Sequence, residues 1–266
     1  MKHSRAQIVA TIGPASSQRE MLASLIDHQM DVARFNFSWS DLDERKQQFA
    51  LLRDVAQSKD RHIPIVMDLP GPRVDEVEGH TYHSSDKAYL TDHDKECILF
   101  GILQNVEYIA LSFIGKMSDI EEVRSFITHN GGSQRIISKI EREIALENID
   151  AIITASDAIM IARGDLGKEI AIEKIPFVQA SLIQKCNDAS KPVITATQML
   201  LSMTEHNIPT RAEVTDVASA IIQGSDAVML SEETAKGSYP LESVMVMERI
   251  IAEAEKHGTK RLIHSL

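Results

Sequence analysis

The feature that most limits what this chain can fold into is a repeat of form. A short, continuously apolar run stops at a polar or Gly-Pro junction and gives way to a helical stretch, and this happens eight times. The apolar runs begin at Gln7, Asp31, Ile63, Glu107, Arg135, Ala158, Pro192 and Ala227. Strands without a polar alternation have no wet face, so they belong to a parallel sheet covered by helices. Eight strand-then-helix units in 266 residues predict an α/β chain closed into a (β/α)8 TIM barrel, rather than an open doubly wound sheet. No G-x-G-x-x-G turn follows the first run, which argues against a dinucleotide-binding sheet. Residues 1–266 are expected to form one barrel. The stretch 75–88, polar and without periodicity, is read as a short loop.

The helices have recognisable starts. Ser16 or Ser17 is expected to cap a helix near Arg19, and Ser40 or Asp41 a helix running to Ser58. Others are placed from Asp92, from Ser118 to His129 and from Glu143 to Asn148. Pro176 to Ala189, Arg211 to Gln223 and Pro240 to Lys256 complete the set, with Pro176 suited to a first turn.

A net charge of −11 without a basic stripe argues against nucleic-acid binding. Two cysteines, Cys97 and Cys186, far apart in sequence, suit a reducing compartment. No signal-like or membrane-length apolar segment is visible, so a soluble cytoplasmic protein is expected.

In such a barrel, chemistry collects where the strands end. Reading those ends yields Arg34, Asn36 and Ser38, then Asp68, Ser112, Lys139 with Glu141, Asp165, Thr197, and finally Ser231 with Glu233. Each alone reads as a cap or loop residue; as a set they point to one polar mouth. Lys139 and Glu141 are two apart on a strand and share a side. Glu141 and Asp165 are hard oxygen ligands suited to Mg2+ or Mn2+, with water and substrate completing the shell. Alternatively, they pair with Lys139 or Arg163. The Arg163-Gly164-Asp165 turn offers backbone N–H groups to a substrate carboxylate. Lys139 beside a metal-held oxyanion suggests enolate stabilisation or proton transfer.

These residues resemble the barrel domain of pyruvate kinase. Gln7-Ile-Val-Ala-Thr-Ile-Gly-Pro-Ala-Ser16 is similar to its first strand, and Val32-Ala-Arg-Phe-Asn-Phe-Ser38 to its second. Ile137-Ser-Lys-Ile-Glu141, Ala162-Arg-Gly-Asp-Leu-Gly167, Ala196-Thr-Gln-Met199, Pro209-Thr-Arg-Ala-Glu213 and Met229-Leu-Ser-Glu-Glu-Thr-Ala-Lys-Gly237 resemble its later motifs. The resemblance implies Glu141 and Asp165 as the divalent-metal ligands and Lys139 as the group at the transferring phosphoryl or proton. It implies Thr197 beside the enolpyruvate carbon, Gly164 and Asp165 amides at the carboxylate, and Arg34 at the phosphate. Asn36, Ser38, Asp68 and the Leu69 carbonyl correspond to a K+ site. A homo-oligomer formed through the barrel sides is also implied.

The departures lie on the nucleotide side. Where the family inserts a lid domain after the third strand, only about 75–88 is present, and the chain stops at Leu266 where a further domain follows in the family. Pro70, Arg73 and Asp75 replace a lysine, glutamate and arginine; Trp39 replaces a histidine, Gly115 an arginine and Glu232 a glycine. Arg73 is expected to stand in for the monovalent cation. An intact enolate side with a reduced phosphoryl side favours a metal-dependent 2-oxo-acid lyase (aldolase or decarboxylase) acting on a small 2-oxo acid or enolpyruvate. The alternatives are a pyruvate kinase with a minimal lid and a non-catalytic ligand sensor.

Overall fold

A computed structural model describes residues 4–38, 41–76, 79–82, 89–258 and 263–266, without the side chains of 73–82. Its strands in chain order are β1 Gln7–Thr11, β2 Val32–Asn36, β3 Ile65–Leu69, β4 Arg73–Glu76, β5 Gly79–Tyr82, β6 Tyr108–Leu111, β7 Arg135–Ile140, β8 Ala158–Ala162, β9 Val193–Ala196 and β10 Ala227–Leu230. Eight of them close a parallel barrel in the order β1-β10-β9-β8-β7-β6-β3-β2. Closure is made by β1 on β10, in register from Gln7 opposite Ala227 to Ala10 opposite Leu230.

The helices are α1 Arg19–Asp27, α2 Leu42–Ser58, α3 Asp92–Leu103, α4 Met117–His129, α5 Glu143–Glu147, α6 Ile149–Ala155, α7 Arg163–Glu169, α8 Ile175–Asp188, α9 Arg211–Gln223, α10 Glu232–Ala235 and α11 Pro240–His257. No described helix is long and apolar enough to cross a membrane.

Two cores divide the apolar residues by strand parity. Val9, Val32, Val66, Ala110, Ile137 and Met229 lie in the cluster inside the barrel. Their strand neighbours Ile8, Ala33, Ile65, Ile109, Ile136 and Leu230 pack outward against the helices. Successive side chains of a strand point oppositely, so the inner parity continues upward onto Thr11, Arg34, Asp68, Ser112, Lys139 and Ser231. At the opposite end, Leu266 joins the inner cluster, its N–H bonded to Gln7 Oε1 at 2.8 Å, and His264 N–H bonds Asp226 at 2.9 Å.

Several expected boundaries shift. Part of the stretch read as a loop is a hairpin: β4 pairs antiparallel with β5 from Arg73 opposite Tyr82 to Glu76 opposite Gly79. Val74, Thr81 and Tyr82 are residues that suit strands, but the run is too short to show a period. Residues 83–88 lie outside the described set. Neither Ser16 nor Ser17 caps α1. Gln18 holds that position without a side-chain bond, because Ser16 Oγ accepts from Gly13 N–H within the preceding turn. Of the pair before α2, Asp41 is the cap, accepting from Asp43 and Glu44 N–H. The helix expected from Glu143 to Asn148 is α5, and α6, which was not anticipated, follows it. Asn148 between them donates its amide to the Gly115 and Ile144 carbonyls, in competition with continued helix.

Candidate active site

Lys139 stands on the inner parity near the end of β7. Its ammonium meets Ser112 Oγ at 2.7 Å, Glu141 Oε1 at 2.9 Å and Asp68 Oδ1 at 3.1 Å. An ammonium has three donors, and here each has an acceptor. The other oxygen of Asp68 accepts from Arg34 Nε at 2.7 Å, and Arg34 Nη1 reaches Thr11 Oγ1 at 3.0 Å. One chain of polar contacts therefore crosses β1, β2, β3, β6 and β7.

Asp68 and Glu141 are each only 2% exposed and Lys139 8%, so their charges are held by each other and hardly by water. Burial drives the Asp68 carboxyl upward, but Lys139 and Arg34 together outweigh it and hold it below the ordinary range. Burial also opposes the Lys139 charge, yet Asp68 and Glu141 raise its pKa above normal. Glu141 ends above the usual range: burial leads, Lys139 opposes, and the negative charge of Asp165 adds to the rise.

The strand ends are bent to reach this arrangement. Ser112 Oγ accepts from Lys139 and donates to the Leu69 carbonyl at 2.7 Å. Phe113, next in the chain, has φ +60° and gives its N–H to Glu141 Oε2 at 2.6 Å. Thr197 and Gln198 also lie in the left-handed region, at φ +69° and +54°. For a β-branched residue that is a true outlier and costs about 1–3 kcal/mol. Arg163 supports the bend, donating to the Thr197 carbonyl at 2.8 Å and the Ala196 carbonyl at 3.3 Å while pairing with Asp216 at 2.7 Å.

Arg163 is thus the first residue of helix α7 and faces α9 instead of pairing with Asp165. Asp165 pairs with Lys168 at 2.8 Å. The Gly164 N–H, expected to lie open to a ligand, donates to Thr197 Oγ1 at 2.8 Å. A substrate carboxylate would share or displace that bond.

Glu141 and Asp165, whose negative charge adds to the rise in the Glu141 pKa, are hard oxygen donors of the chemical kind that suits Mg2+ or Mn2+. Mg2+ typically takes one or two protein carboxylates and fills its shell with water and substrate oxygens. Among the described residues, no group of three His, Cys, Asp or Glu is placed to hold a metal.

The residues matched to a K+ site are neighbours, with Asn36 opposite Asp68 across β2 and β3. Asn36 Oδ1 accepts from the Ser38 N–H and hydroxyl, the Leu69 carbonyl from Ser112, and Asp68 from Arg34 and Lys139. The Arg73 and Asp75 side chains and Trp39 lie outside the described residues. Glu233 turns out to be a backbone clamp: fully buried, it accepts from the Leu200 and Ser231 N–H groups. The Ser231 hydroxyl is buried with no partner among the described residues.

Three site residues escape a reading of strand ends. Thr11 sits at the end of β1 as the others do, and its parity with Val9 could have marked it. Tyr89, whose hydroxyl donates to the Ser112 carbonyl at 2.5 Å, and Arg142, whose Nη1 lies 3.4 Å from the Phe113 carbonyl, fall outside the strands and leave no periodic trace.

A family model described as pyruvate kinase, barrel domain, matches residues 3–85 and 84–244. The chain belongs to the pyruvate kinase family. It is 39% identical over 333 residues to a pyruvate kinase of Thermococcus litoralis, covering 95% of this chain and 70% of that protein. It is 38% identical to one from Sporosarcina psychrophila, over 94% of this chain and 57% of that one. To one from Thermotoga maritima it is 34% identical, over 94% and 71%. The chain thus spans 57% to 71% of the length of these pyruvate kinases. The relatives favour the phosphotransferase alternative, and the lyase expectation finds no support among them.

One departure from the family is internal. Since 95% of 266 residues is about 253, roughly 80 of the 333 aligned positions have no counterpart in this chain. The two segments of the family match meet at residues 84–85, just beyond β5. A second departure is a local exchange. A Cβ on Gly115, where the resemblance implied an arginine, would come 3.0 Å from Arg142 Nη1. The Arg142 guanidinium fills that space from the neighbouring strand end.

Proposed function

We propose that this chain binds phosphoenolpyruvate with a divalent metal ion at the barrel mouth and transfers its phosphoryl group to a nucleoside diphosphate, releasing pyruvate. The observation that supports this best is the Lys139 ammonium, fixed among Asp68, Ser112 and Glu141 on the side of the mouth where Asp165 also acts. Glu141 and Asp165 would hold the ion, which when bound supplies positive charge to the enolpyruvate and phosphoryl oxygens.

The chain's own residues account for the remaining steps. Arg34, anchored by Asp68 and Thr11, would receive the phosphate. The bond from phosphorus to the enol oxygen breaks, and a bond to a terminal oxygen of the diphosphate forms. As the enol oxygen keeps the electron pair, Lys139 offsets the developing charge from a fixed, nearly dry position. The methylene carbon then takes a proton from solvent water, on the side where Thr197 stands in its left-handed turn. Phosphoryl transfer depends mainly on such positioning and charge.

Incubation with phosphoenolpyruvate, ADP, Mg2+ and K+ should yield ATP. Glu141→Gln and Lys139→Ala should each lower kcat/KM by roughly 10²–10³-fold. No ATP from the wild type at saturating concentrations would rule the reading out. Arg73 as a substitute cation predicts the same rate when K+ is replaced by tetramethylammonium.

The roughly 80 missing internal positions favour one further reading, in which only the enolate half survives. Pyruvate methyl protons would then exchange in D2O, followed by NMR, in a metal-dependent way without ATP formation.

A further inference from the structure

Where the relatives carry roughly 80 more residues, this chain leaves the hairpin and is fastened to the barrel at Tyr89. The fastening is double. Glu122 of α4 takes the N–H groups of Tyr89 at 3.0 Å and Leu90 at 3.2 Å, and Thr91 then caps α3 in a capping box with Asp94. With its backbone held there, Tyr89 is 7% exposed and directs its hydroxyl onto the Ser112 carbonyl.

Ser112 is the residue on which the site turns. It lies just past β6, so the barrel ladder no longer controls it. Its hydroxyl accepts from Lys139, and the left-handed Phe113 that follows gives its N–H to Glu141. Its carbonyl fits tightly between two groups: a Cβ on Gly71 would come within 2.7 Å of it, and the Tyr89 hydroxyl binds it at 2.5 Å. Burial, together with the charges of Asp94, Glu141, Asp119 and Asp68, keeps the phenol protonated far above its ordinary range, so it remains a donor.

We infer that Tyr89 is a positioning residue of the active site, whose hydroxyl fixes the Ser112–Phe113 bend and through it the placement of Lys139 and Glu141. It tethers the mouth in a chain that lacks the larger insertion. The inference rests on the function proposed above for Lys139 and Glu141, but part of its test does not.

The test is Tyr89→Phe, which removes one oxygen and retains the ring, with Tyr108→Phe as control. Tyr108 lies on β6 itself and has a buried hydroxyl without a partner among the described residues. Two quantities are read: Mn2+ affinity by electron paramagnetic resonance of the free ion, and hydrogen exchange of the Phe113 amide by NMR. Tyr89→Phe should weaken Mn2+ about tenfold, at the low end of what outer-shell partners of a metal ligand contribute. It should also speed Phe113 exchange by a similar factor, with the melting temperature within about 4 °C of wild type. Tyr108→Phe should change neither quantity. A Phe113 amide that exchanges in Tyr89→Phe as in wild type overturns the inference, whatever the metal does. Faster Phe113 exchange in Tyr89→Phe, together with a wild type that binds no Mn2+, supports the tether and removes the metal reading instead.

Discussion

Asp68 places one negative charge between two positive ones, in a position that is 2% exposed. Replacing it with asparagine leaves Arg34 and Lys139 without their shared counter-charge, and breaking a buried pair in this way costs about 3–5 kcal/mol. Urea denaturation of Asp68→Asn at pH 7 should show a loss of that order. The pH dependence follows from the directions of the shifts. The Asp68 carboxyl is depressed in the fold, so its contribution is complete above the unfolded carboxylate value near 3.9 and disappears as pH falls through the lower folded value. Lys139 is raised, so its contribution is complete below about 10.4 and is lost as pH rises through the folded value. Denaturation of wild type and Asp68→Asn across pH 2–5 should therefore converge at the acid end. At this scale much of the site could be read from the sequence, because parity carries a strand's inner face up to the mouth. Lys139, Glu141, Asp68 and Ser112 were found that way. Tyr89 and Arg142 were not, because each enters from a connection whose path depends on tertiary packing. Glu233 shows what a strand-end position leaves open: a carboxylate there can turn back and bind backbone as readily as face a ligand.

The bends just past β6 and β9 need more than their own sequences to hold them. Gly71, at φ +66°, lets the β3 end pass against the Ser112 carbonyl. Gly71→Ala adds both a left-handed alanine and a 2.7 Å contact with backbone. It should cost about 1–3 kcal/mol and weaken Mn2+ binding as well, since Ser112 must shift; calorimetry and metal titration would measure the two effects. Arg163→Lys keeps the charge but loses the planar fork that spans the Ala196 and Thr197 carbonyls and Asp216. A lower kcat with little change in the KM for phosphoenolpyruvate is the expected result. Elements were legible where they repeat: each barrel strand was anticipated to within about two residues at its ends, the usual uncertainty of element boundaries. The hairpin and the start of a second helix, α6, after α5 were not anticipated. The first is too short to have a period, and the second is set by an asparagine whose partners include Gly115, 33 residues away.

The whole barrel is closed at one end by polar groups and at the other by an apolar side chain. Leu266 fills the interior opposite the mouth at 7% exposure. Leu266→Ala should lower stability by about 2–4 kcal/mol while leaving Mn2+ affinity unchanged, because the cavity forms far from Glu141. The barrel itself was predictable from eight strand-then-helix units within one domain's length, which favour closure over an open doubly wound sheet. Which residues stop its lower end was not, since the few residues after α11 carry no pattern. The closure of β1 on β10 also bears on how the chain acquires its structure. Gln7 N–H bonds the Asp226 carbonyl, and Thr11 exchanges hydrogen bonds with Leu230 and Thr234, across separations of 219 and 223 residues. During synthesis from the N-terminus, one edge of the first strand stays unpaired until nearly the last strand has emerged. An exposed edge of that kind invites pairing with another chain, and contacts so distant in sequence form slowly. Refolding yield should therefore fall with protein concentration, and the slowest refolding phase should be the joining of the first strand to the last.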